Sequence, residues 1–164
     1  MTGRRVDQQM KTLIVGVGNA DRGDDAAGIL AARRLGDAAL PGAHVVEARG
    51  NAADLIALWD SAGAESVYLI DAMQSGAAPG TVRRFAAHEG PLPLLRIEGL
   101  THGFGPVEAV ELARALGMLP RRLIVIAIEG ACFDAGAPVT PAVEEAAVRA
   151  AEIIRQECAC NRNP

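Results

Sequence analysis

The sequence predicts an α/β domain, a three-layer αβα sandwich around a twisted, mostly parallel sheet of about five strands with one antiparallel edge strand. Three observations carry this expectation. Apolar runs at Thr12 to Val17, Ser66 to Ile70 and Leu123 to Ile128 are nearly continuous in Val, Ile and Leu, as strands buried on both faces require. Helical patterns separate most of the strand signals, which argues for right-handed crossovers. The segment Met73 to Gly80 breaks the alternation, because Ser75-Gly76 and Pro79-Gly80 are turn chemistry and no helix intervenes. Thr81 to Phe85 is therefore expected as the antiparallel edge, with Arg83 and Arg84 discouraging unwanted pairing.

The first strand, Thr12 to Val17, runs into Gly16-Val17-Gly18-Asn19, a glycine-bearing turn. Asp24 or Asp25 can open the helix that follows, which continues through Ile29, Leu30 and Leu35 with Arg33 and Arg34 turned outward and Gly36 able to close it. His44 to Ala48 reads as the second strand. Asn51 caps a second helix, Asp54 favours its positive end, Leu55, Leu58 and Trp59 form the buried stripe, and Gly63 marks the stop. A third helix starts at Gly105-Pro106 and ends at Gly117, with Val107, Val110, Ala113 and Leu116 at helical spacing. The fourth and longest starts at Thr140-Pro141 and passes through Val143, Ala147, Ala150 and Ile154.

A chain of 164 residues that is 50% hydrophobic and 22% charged suits one packed domain. Its expected extent is 11–157, with a flexible extension at 1–10 and a flexible tail at 158–164. A net charge of -4 with 3% aromatic residues offers neither a footprint for phosphate backbones nor a stacking surface, which argues against nucleic acid as a partner. Residues 1–10 lack the apolar stretch of a secretory signal, and polar residues or glycines interrupt every run before the length of about 20 needed to cross a bilayer, so a cytoplasmic protein is expected. Three cysteines, Cys132, Cys158 and Cys160, suit a reducing compartment, the last two as exposed tail thiols and Cys132 as a small packed residue.

Chemistry concentrates at three islands, each following an apolar run: Gly16 to Asp25, Ile70-Asp71-Ala72 and Thr101-His102-Gly103. In open α/β sheets the carboxyl ends of strands border the ligand crevice, and Asp and His are ligands for divalent ions. Each residue has a structural alternative: Asp24 and Asp25 as a cap and a first-turn carboxylate, Asp71 as a turn former, His102 as an exposed loop residue. His44 and His88 lack a comparable setting. Gly16 and Gly18 also fit a dinucleotide fingerprint, but the third glycine is replaced by Asp21 and three aspartates would confront a pyrophosphate. No serine stands in a nucleophile elbow.

Taken in order, the islands resemble the hydrogenase maturation proteases, endopeptidases that trim the carboxyl terminus of the nickel-containing large subunit. The resemblance spans Leu13 to about Ile154. It rests on Gly16-Val-Gly-Asn19, Gly23-Asp24-Asp25, Ile70-Asp71-Ala72, Ser75-Gly-Ala-Ala-Pro-Gly-Thr81, Thr101-His102-Gly103, Leu116-Gly-Met-Leu-Pro120 and Ile128-Glu129-Gly130. It implies an α/β sandwich and a site of Asp25, Asp71 and His102 that contacts nickel already installed in the precursor, zinc or cadmium being able to stand in. A divalent ion there can orient the substrate tail, polarise the scissile carbonyl and acidify a water, with Asp71 as the candidate base. Asp21 and Ala26 depart from the family pattern without removing a ligand.

Three functions follow. The first is an endopeptidase that removes the C-terminal peptide of a nickel-loaded hydrogenase large-subunit precursor, an aspartic-type or metal-dependent reaction. The second is a non-catalytic metal-binding or scaffold protein on the same fold. A nucleotide-dependent oxidoreductase, resting on Gly16 and Gly18 alone, is the third.

Overall fold

A computed structural model of the protein describes residues 12–93 and 105–160. Strands β1 (Thr12–Val17), β2 (Ala43–Ala48), β3 (Ser66–Met73), β4 (Val82–Ala86) and β5 (Arg122–Glu129) are accompanied by helices α1 (Ala27–Asp37), α2 (Ala52–Ala62), α3 (Pro106–Leu116) and α4 (Pro141–Cys160). The sheet order is β2-β1-β3-β5-β4. The first four strands are parallel, and β4 lies antiparallel to β5, with Val82 opposite Ile128 and Phe85 opposite Val125. The expected antiparallel edge strand is present.

Strand pleating divides the core into two layers. Leu13, Val15, Val17, Val67, Leu69, Leu123 and Val125 face one side, where they meet Leu55 and Trp59 of α2 and Val110 of α3. Ile14, Tyr68, Ile70, Ile124, Ile126 and Ile128 face the other, against Ala31 and Leu35 of α1 and Ala147, Ala150 and Ile154 of α4. Small residues on α1 and α4 bring those helices close to the sheet and to each other. Truncating a fully buried Ile or Leu here to Ala costs about 2–5 kcal/mol, more than any surface pair contributes, so these two layers set the architecture.

Helix ends follow local chemistry at α2 and α3. The Asn51 side chain accepts from the backbone N–H of Ala53 at 3.0 Å and Asp54 at 3.2 Å, and Gly63 ends α2 in the left-handed region with φ 56°. Glu108 reaches back to accept from the Gly105 N–H at 2.8 Å, which secures the start of α3.

Four expectations are corrected. Neither Asp24 nor Asp25 caps α1 through its side chain: both lie in a short 3-10 turn, Gly23–Ala26, that precedes the helix. Gly36 falls inside the last turn of α1 rather than ending it. Strand β3 continues to Met73 because it pairs with β5 along its whole length, so Asp71 lies within the strand, opposite Ala127, rather than after it. Helix α4 runs through Cys160, and Cys158 packs half-buried against the α1/α4 layer, so the residues assigned to a tail begin as helix.

Candidate active site

The chain leaves β1 for β2 through α1 on one face of the sheet and returns to β3 through α2 on the other. A crevice opens where the connections diverge, at the carboxyl ends of β1 and β3. Close packing of backbone on backbone delivers the acidic turn to this place. A Cβ on Gly16 would stand 2.5 Å from Ala32 Cβ, and one on Gly28 would stand 2.8 Å from the Ile70 carbonyl carbon, so both glycines are required for α1 to lie flat on β1 and β3. The tight helix-to-strand contact of a dinucleotide fingerprint thus exists, but Gly28 supplies it from within α1.

The two adjacent aspartates part company. Asp24 is fully buried, and its carboxylate accepts from the N–H groups of Ala131, Cys132 and Thr140 at 2.7, 3.0 and 2.7 Å and from the Thr140 hydroxyl at 3.0 Å. Burial alone would raise its pKa, but the donors from Thr140, Ala131 and Cys132 outweigh it and hold the carboxyl below its usual value. Asp25 is half-buried at the crevice. Burial raises its pKa, and the Arg22 charge and the Asn19 backbone N–H offset only part of that rise.

Asp71 is the most perturbed acid of the crevice. Pleating places it on the face of Leu69, the side of α2 and α3. Burial pushes its pKa well above the usual carboxylate range, the Asp25 charge raises it further, and Glu108 at the start of α3 adds to the rise. The N–H of Ala72, 2.9 Å from Asp71 Oδ1, opposes these effects in part. Asp25 and Asp71 are therefore brought together as a pair of carboxylates that both hold protons more tightly than in water. Such a pair is relieved by a shared proton or by a cation.

His102, the third candidate, lies outside the described residues, as do its neighbours Thr101 and Gly103. Among the described residues, no three His, Cys, Asp or Glu side chains are grouped to hold a metal ion. His44 is exposed on β2, opposite Leu13, and His88 Nδ1 lies 3.0 Å from the Leu123 carbonyl oxygen at the amino end of β5. Both stand away from the crevice.

Glu129 ends β5 at the same carboxyl edge of the sheet, and the sequence alone assigns it no role. It is 2% exposed, and its carboxylate accepts from Ser75 N at 2.9 Å, Ser75 Oγ at 2.8 Å and Gly76 N at 2.9 Å. It thereby fixes the turn that follows β3. The available signal was its place at the end of an apolar run, where a charge is buried only if it is paired or hydrogen-bonded. Beside the Asp25 turn, a cavity of about 310 Å³ is lined by Asn19, Asp21, Ile29, Glu47 and Arg49.

The arrangement resembles known proteins. The family model for hydrogenase maturation protease (HycI) matches residues 32–157. The NiFe-hydrogenase maturation protease HycI of Thermococcus kodakarensis superposes with a TM-score of 0.72 at 22% identity, covering 92% of this chain and 93% of that one. The endopeptidase HycI of Escherichia coli gives 0.69 at 21% identity over 91% and 89% of the two chains. The hydrogenase maturating endopeptidase HybD of E. coli gives 0.66 at 24% identity over 88% and 90%. At these identities the structural likenesses establish the α/β fold. No curated protein sequence matches the chain. The family match covers most of the chain, including Asp71 and His102, and by it the chain belongs to the hydrogenase maturation protease family.

Proposed function

We propose that the protein is the endopeptidase that removes the C-terminal peptide from a nickel-loaded hydrogenase large-subunit precursor. The observation that carries this reading is the half-buried pair Asp25 and Asp71 at the carboxyl edge of the sheet, each with its pKa raised. Two such carboxylates favour a divalent cation, and the precursor supplies one as part of the substrate. His102 is the proposed third ligand. It precedes Gly105, which opens α3, by three residues, a tether of about 10 Å at full extension.

Within this reading the chain's own groups divide the work. Asp25 and Asp71 dock the precursor by its nickel, which polarises the scissile region when bound. Asp71, held in an environment that raises its proton affinity, accepts the proton of the attacking water. The cavity beside Asn19 and Arg49 gives the adjoining peptide room to lie across the carboxyl end of β2. The requirement for nickel makes cleavage conditional on metal insertion.

Intact-mass analysis of a precursor, nickel-loaded and nickel-free, before and after incubation with the protein, tests the proposal. Loss of a C-terminal peptide from the nickel-loaded form alone is expected, and folded His102→Ala should leave that form uncut. Metal-dependent binding of a cognate precursor with its tail left intact would favour the scaffold reading, and full processing by folded His102→Ala would remove His102 from the site.

A further inference from the structure

We propose that Asp24 is a positioning residue, which locks the turn carrying Asp25 to the segment between β5 and α4 and so sets where the Asp25 carboxylate meets Asp71. The inference rests on the reading of Asp25 and Asp71 as the reactive pair.

The turn Gly23–Ala26 has only four residues, and no side chain caps it. A 3-10 turn of that length has too few internal hydrogen bonds to fix its own direction. Its anchorage comes from outside. The Gly23 N–H donates to the Ala137 carbonyl at 3.2 Å and the Asp24 N–H to the Cys132 carbonyl at 2.8 Å. Arg22 Nη2 donates to the Phe133 carbonyl at 3.2 Å, and the Gly136 N–H donates to the Asp21 carbonyl at 2.7 Å. The Asp24 carboxylate is the centre of this lattice, with four donors from Ala131, Cys132 and Thr140.

All four groups around that carboxylate donate, so an amide cannot replace it. An asparagine at this position would keep one acceptor oxygen and turn an NH2 group toward N–H donors. Gly130 leaves no slack, since a Cβ there would stand 3.0 Å from Asp24 Cβ. The Asp24 and Asp25 Cα atoms are about 3.8 Å apart across one peptide, so a tilt of the turn at Asp24 is carried almost undiminished to the Asp25 carboxylate. A displacement near 1 Å at a reacting group can cost about a hundredfold in rate. A residue that only stabilised the fold would change the folded fraction and leave the folded molecules fully active.

The test uses the full chain with Asp24→Asn and Thr140→Val, at a temperature where circular dichroism shows each variant folded. Cleavage of nickel-loaded precursor should show kcat reduced roughly tenfold or more in Asp24→Asn, KM within about threefold, and Thr140→Val intermediate. Hydrogen exchange over 23–27 should accelerate in the same order while amides of β1 and β3 stay protected. Unchanged kcat in folded Asp24→Asn overturns the proposal, and so does unchanged exchange over 23–27. If Asp24→Asn does not fold, the same two readings on Thr140→Val decide. If the wild-type protein cleaves nothing, the proposed function fails, and exchange still separates a turn locked by Asp24 from one that is not.

Discussion

The carbonyl oxygen of Ile70 occupies the space that a side chain on Gly28 would need. The residue after Ile70 is Asp71, and the turn before α1 carries Asp25, so this contact fixes the separation between the two halves of the site. Gly28→Ala is expected to push α1 off β3 and cost about 2–3 kcal/mol. In a chain of this size that lowers Tm by roughly 5–10 °C in calorimetry. Cleavage should fall more than the folded fraction does, because Asp25 moves with the helix.

Asp71 should trade stability for function. Its pKa is raised in the folded state by burial and by the Asp25 and Glu108 charges, so the folded protein binds more protons than the unfolded chain, and stability falls as pH rises from the ordinary carboxylate range up to the raised folded value. Asp71→Asn removes that penalty. Denaturant titration of the metal-free protein at neutral pH is expected to show Asp71→Asn more stable than wild type, with cleavage abolished. A less stable variant would show that Asp71 is held by favourable contacts instead.

Asp24 titrates with the opposite sign. Its pKa is held down by four donors, so its stabilisation is complete above the ordinary carboxylate range and is lost as pH falls through the folded value. Asp24→Ala should cost about 3–5 kcal/mol at neutral pH, since it leaves buried donors from Ala131, Cys132 and Thr140 unpaired. The difference between wild type and variant should shrink in acid, which a pH series of unfolding curves would reveal.

A control lies at the other end of the sheet. The buried Tyr68 hydroxyl donates to Glu157 Oε2 at 2.9 Å and accepts from Arg122 Nη1 at 3.0 Å, while Arg122 and Arg84 also hold Glu157 directly. Burial is the main reason its phenol is held protonated, with the Arg122 charge opposing. Tyr68→Phe removes one member of a network that stays otherwise paired, so a loss of about 1 kcal/mol and roughly 2–4 °C in Tm is expected. Cleavage should be unaffected.

The strands were legible because Ile14, Ile70 and Ile126 lie in runs that only a sheet covered on both faces can bury, and α2 because Asn51 and Gly63 punctuate it at both ends. Asp25 and Asp71 were legible as residues that share an edge. The division of labour between Asp24 and Asp25 was not, because it depends on Ala131, Cys132 and Thr140, more than one hundred residues away in the chain. Gly28 was missed for a related reason: within a helix pattern a glycine reads as a weak helix former, and its necessity is visible only against the Ile70 carbonyl. Glu129 needed the Ser75 turn beside it before its burial made sense.

The strand order has a consequence for synthesis. β3 is flanked in the sheet by β1 and β5, while β4, the next strand in the sequence, pairs with β5 instead. A nascent chain that has already placed β1 against β3 must therefore hold the other edge of Ser66–Met73 open until Arg122–Glu129 has left the ribosome, and β4 has no partner until then. That open edge is apolar along Val67 to Ile70, so it is the segment a chaperone would have to shield and the one from which truncated chains would aggregate.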